Sequence, residues 1–95
     1  MEKDKLYRLS RPNYQGNTGA IGGLILKGAA VNVLVYGSQT KPANLAAMVD
    51  ITEEGSIILP GAYSFSLFPE YIAITGVVTG IEIVNYDAED LGAIS

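Results

Sequence analysis

Glycine and proline punctuation constrains this chain more than any other feature. After a short segment around Pro42, six apolar runs follow one another: Val49 to Ile51, Ile57 to Leu59, Ala62 to Phe68, Tyr71 to Thr75, Val77 to Thr79 and Ile81 to Tyr86. Glu54-Gly55, Pro60-Gly61, Pro69-Glu70, Gly76 and Gly80 separate them. Short runs rich in Val, Ile, Tyr and Phe and bounded by turn residues predict strands. The helices that an open parallel α/β sheet needs between its strands are missing.

The segment upstream follows the same rule. Ile21 to Leu26 is a short apolar run, Lys27-Gly28 reads as a turn, and Val31, Val33 and Val35 alternate with Asn32, Leu34 and Tyr36. Strand side chains point to alternate faces and stiff Val packs well on a pleat, so these residues predict a hairpin. A helix here would carry Gly22, Gly23 and Gly28 at a cost of about 1 kcal/mol each relative to Ala. The only helical signal lies between Ser38 and Met48, at most two turns, with Thr40 as cap and Pro42 in the first turn. Tyr63, Phe65 and Leu67 share one face of their strand and Ser64 and Ser66 the other, which predicts one core side and one wetter side. The expected fold is therefore all-β: a small β-sandwich or jelly-roll-like domain over residues 20–86. An extended basic N-terminal arm (1–19) and an acidic C-terminal tail (87–95) flank it.

Composition excludes several function classes. The chain has 95 residues with no Cys and no His. Disulfide frameworks, thiolate nucleophiles, zinc and haem sites and Ser-His-Asp or Cys-His pairs lose their defining ligand or base, so no catalytic, metal or cofactor residue is assigned. A net charge of −4 without a basic strand face makes a poor phosphate binder, and nucleic acid is rejected as a partner. The longest apolar stretch, Ala20 to Tyr36, is interrupted by Lys27 and Asn32 and falls short of the ~20 clean residues of a spanning helix. Glu2 and Asp4 among the N-terminal basic residues do not fit a signal peptide. A soluble protein without a membrane partner is expected. Charged residues make up only 17%, against the ~25% usual in soluble domains. A domain this short has a marginal core, so the apolar excess points towards a subunit whose neighbours add buried area.

Few residue groups rise above their structural roles. Gly16, Gly19, Gly22 and Gly23 lack the preceding strand and following Lys-Ser/Thr of a phosphate loop. Glu82, Asp87, Glu89 and Asp90 lack calcium-loop spacing. Asp50, Glu53, Glu54 and Glu70 offer turn carboxylates for glycosidase-type chemistry, but turn carboxylates ordinarily solubilise. Phe68 and Tyr71 flank Pro69-Glu70 and are placed at a loop tip, suited to stacking on a sugar. One asymmetry stands out: residues 1–11 hold four basic and two acidic side chains, and residues 12–95 two basic and eight acidic. Lys3, Lys5, Arg8 and Arg11 would then form an assembly arm lying on the acidic body of the next copy.

Val31 to Ser38, Gly61 to Phe65, Glu70 to Gly76 and Ile81 to Ile83 together resemble the small all-β virion structural proteins of tailed bacteriophages, over roughly residues 20–86. The resemblance implies a non-enzymatic, multi-copy role as a capsid decoration, head-fibre or tail-associated subunit. Its partners would be other copies of itself and a larger capsid or tail protein, in a virion assembled in the host cytoplasm. The alternative is a carbohydrate-binding β-sandwich module using Phe68, Tyr71 and nearby carboxylates. A small hydrolase ranks below both.

Overall fold

Alternation becomes strands because each apolar parity finds a core to face. A computed structural model of the protein describes residues 1–10, 22–28, 30–54, 56–58, 61–65 and 69–95. Nine strands are described: β1 (Lys5–Ser10), β2 (Gly23–Lys27), β3 (Val31–Ser38), β4 (Val49–Asp50), β5 (Ser56–Ile58), β6 (Ala62–Ser64), β7 (Tyr71–Val77), β8 (Gly80–Val84) and β9 (Asp87–Ala93). They form two antiparallel sheets, ordered β4-β3-β7-β1-β9 and β5-β6-β2-β8. The sheets face each other across one core. Tyr7, Leu9, Val33, Val35, Ile72 and Ile74 come from the first sheet, and Leu24, Leu26, Tyr63 and Ile81 from the second. Burying each such side chain contributes about 1.5–3 kcal/mol. Tyr63, Phe65 and Tyr86 meet edge to face, at centroid distances of 5.5 and 5.9 Å, and the Tyr63 hydroxyl donates to the Ile51 carbonyl at 2.7 Å. The expected all-β sandwich is the fold of this chain.

Its connectivity departs from the sequence reading in four places. β2 and β3 are not a hairpin: β2 pairs with β6 and β8, and β3 with β4 and β7. The chain turns at Gly28 (φ 82°) and crosses the core from one sheet to the other. Alternation cannot separate these cases, because strands of an arch and of a hairpin both bury every second residue. Secondly, residues 5–10 of the expected arm are a strand between β7 and β9, while 11–19 lie outside the described residues. Thirdly, the expected tail is β9, paired with β1 from Ser10↔Asp87 to Lys5↔Ala93. Fourthly, Gly76 does not separate two strands. It lies inside β7, opposite a register shift between Val31 and Leu34 of β3. The helical signal shrinks to a 3-10 turn over Leu45–Ala47, capped by the Asn44 side chain, which accepts from the Ala47 N–H at 3.0 Å.

A second apolar cluster explains why β1 is a strand. Leu6, Met48, Ala73 and Ile94 are buried on the outer face of the five-stranded sheet, with Tyr36, Leu45, Tyr71 and Leu91 packed against them. The end of the chain lies over this cluster: Ile94 N–H donates to the Asp4 carbonyl and Leu45 N–H to the Ser95 carbonyl, each at 3.1 Å. β1 therefore sends Tyr7 and Leu9 to one core and Leu6 to the other.

Candidate interaction surface

Two basic residues of the expected arm, Lys5 and Arg8, are partnered within their own chain. Lys5 bridges Glu2 at 2.8 Å and Asp90 at 3.2 Å. These two carboxylates, Glu2 first, raise the lysine's pKa above its ordinary range. Arg8 donates from Nε and Nη2 to Glu70 Oε1 at 3.2 and 3.1 Å. Lys5 and Arg8 are thus satisfied by folding β1 beside acidic neighbours, which corrects the expectation that these two residues lie on the next copy. Lys3 is exposed and lines a hollow of about 360 Å³ with Glu2, Asp4, Val78, Thr79, Gly80 and Ile81. Arg11 lies outside the described residues.

The expected loop-tip pair is described at Tyr71 alone. Phe68 is outside the described residues, and Tyr71 opens β7, half-buried against the outer apolar cluster. Among the turn carboxylates, Asp50 accepts from the Thr52 hydroxyl at 2.6 Å and from its N–H at 2.9 Å. The hydroxyl, then the amide, lowers its pKa. This is an Asx-type turn that fixes the chain after β4. Glu70 is taken up by Arg8. The Gly92 N–H, followed by Lys5, holds Asp90 below the usual carboxylate value. Among the described residues no group of three or more His, Cys, Asp or Glu is placed to hold a metal ion, and no helix is long and apolar enough to cross a membrane.

What the fold leaves unsatisfied is apolar. Among the described residues, five large aliphatic side chains stand in solvent: Ile25 (43%), Val31 (47%), Leu34 (38%), Val49 (65%) and Val77 (56%). Val31 and Val77 are register partners, and Leu34 pairs with Thr75 further along the same ladder, so three of the five gather on β3 and β7. Ile25 stands apart on the outer face of the four-stranded sheet, between Ala62 and Glu82 in register. Beside it a hollow of about 300 Å³ opens over Gly22, Gly23, Ser64 and Val84. Lys27 donates to Glu82 at 2.6 Å on the same face, which lowers the Glu82 pKa. The sequence reading missed Ile25 because its run, from Gly19 to Leu26, has no polar residue to mark an outward parity. No protein family, no curated protein and no solved structure matches this chain.

Proposed function

We propose that the protein is a non-enzymatic structural subunit that works by packing its sheet faces against other protein, within a multi-copy particle of the phage-virion kind. The observation that carries this reading is the exposed aliphatic set on both sheets, in a domain too small to stabilise a large core alone. Isolated exposed aliphatics are ordinary, but Val31, Val77 and Leu34 lie together on one ladder. The shifted ionisable groups support it too, because each shift has a structural cause: Lys5, Asp90 and Glu82 pin neighbouring strands, and Asp50 fixes a turn. The resemblance to small virion proteins supplies the kind of particle.

The test is size fractionation of material that contains the protein at its natural level. It should sediment with a large protein particle at constant stoichiometry through successive purification steps. Recovery solely as a free species near 10.0 kDa would overturn the proposal.

A further inference from the structure

The outer face of the four-stranded sheet carries one matched pair of opposite charges. The chain carries −4 overall, and the β9 edge of the opposite sheet holds Asp87, Glu89 and Asp90. Two copies approaching by that edge repel each other. On the outward positions of β2, β6 and β8 the only charged residues are Lys27 and Glu82, one of each sign on adjacent strands. They are about half exposed, at 52% and 55%. Between this pair and β6 stands Ile25, exposed, with small Ala62 beside it and Gly23 two residues along β2. Gly23 must stay small, because a Cβ there would run into the Tyr63 carbonyl. Ile25 therefore projects from a low, electrically neutral surface.

We infer that this face is where two copies of the chain meet, on a two-fold axis passing between Lys27 and Glu82. The paired charges point to a second copy as the partner, since a side-by-side Lys and Glu is its own complement under a two-fold rotation. With strands about 4.8 Å apart and residues about 3.3 Å along them, that rotation lays Lys27 of each copy on Glu82 of the other. The same rotation stacks the two Ile25 side chains near the axis and crosses the strands of the two sheets steeply, the orthogonal class of sheet packing. Charge pairs that close within one chain become a four-member alternating cluster across two. The footprint, about 17 by 19 Å on those spacings, is smaller than a standard interface of about 800 Å² per partner, so the pair is weak in isolation and adds to other contacts in a particle. This inference rests on the assembly reading in treating exposed apolar surface as contact surface.

Sedimentation equilibrium of the whole chain from about 1 µM to 1 mM tests it, a range spanning weak association. A monomer–dimer equilibrium that weakens as salt is raised is the expected result, because half-exposed charges are screened. Ile25→Asp and Lys27→Glu should each raise the dissociation constant about tenfold or more. The double variant Lys27→Glu/Glu82→Lys should return it to near the original value, while Lys41→Glu, in the exposed loop after β3, leaves it unchanged. Circular dichroism confirms that each variant is folded. If Lys27→Glu fails to fold, Ile25→Ser reads the same contact. A monomer at every concentration overturns the inference, as does association that ignores both Ile25→Asp and Lys27→Glu. A monomer that still sediments with a particle would sink this face alone. A dimer found with no particle would sink the proposed function and leave the face standing.

Discussion

Gly76 allows a bulged β3 and a continuous β7 to share one ladder. Its φ of 118° is open to glycine alone in practice, and a Cβ at that position would lie 2.6 Å from the Asn32 carbonyl oxygen and 2.7 Å from the Val33 Cα. Gly76→Ala should therefore destabilise the protein by about 1–3 kcal/mol, measured by urea unfolding. Gly92→Ala is the comparison: φ is 99° there, but nothing lies within 4 Å of the added carbon, so its loss should be smaller. Single residues also set the pH dependence. Asp50, Asp90 and Glu82 are held below ordinary values of 3.8, 3.8 and 4.5. Their contribution is present above those values and is lost as pH falls through the lower folded ones. Lys5 is shifted upward from 10.5, so its contribution is complete below that pH and is lost only above it. The unfolding midpoint should be flat from about pH 5 to 9 and fall in acid, modestly because these pairs are exposed. Asp90→Asn should flatten the acid limb, and an unchanged limb in that variant would refute the assignment.

At the scale of the element, β1 determines whether there is a domain at all. It lies between β7 and β9 and contributes Leu6, Tyr7 and Leu9 to two cores. At about 1.5–3 kcal/mol for each buried side chain, losing it consumes much of a total stability of about 5–15 kcal/mol. Deleting residues 1–10 should abolish the cooperative unfolding transition and collapse amide dispersion in the NMR spectrum. A deletion variant that still melts cooperatively would restore the idea of a dispensable arm. The sequence hid this strand for a physical reason. In Lys5-Leu6-Tyr7-Arg8-Leu9-Ser10, Leu6 and Tyr7 are adjacent and both apolar because the strand has a core on each side, which erases the period of two. Strands with one wet face were legible: Tyr63 and Phe65 are buried around exposed Ser64. Pairing was not legible, since nothing local tells Lys5 that Asp90 will be its neighbour. The same limit hid the outer-face surface, where Ile25 becomes distinctive only once Ala62 and Glu82 flank it.

For the whole molecule, the governing fact is how often the chain changes sheets. Only the β3–β4 and β5–β6 connections join strands paired within one sheet; the other successive strands lie in opposite sheets. Every ladder other than those two must close a long loop before its contacts form, and loop closure costs entropy in advance of any gain. Refolding should therefore take milliseconds to seconds, the range of β-sandwiches; stopped-flow fluorescence of the tyrosines would measure it, and a microsecond phase carrying the whole amplitude would contradict it. The same topology places β1 and β9 side by side and antiparallel, with Lys5 opposite Ala93. Tension applied through residues 1 and 95 would enter this ladder at one end of both strands. Its hydrogen bonds run perpendicular to the strands, so they would open one rung after another, as a zipper does, and never share the load. Pulled by its ends, the domain is mechanically soft; gripped by its sheet faces, it must be sheared across many contacts at once.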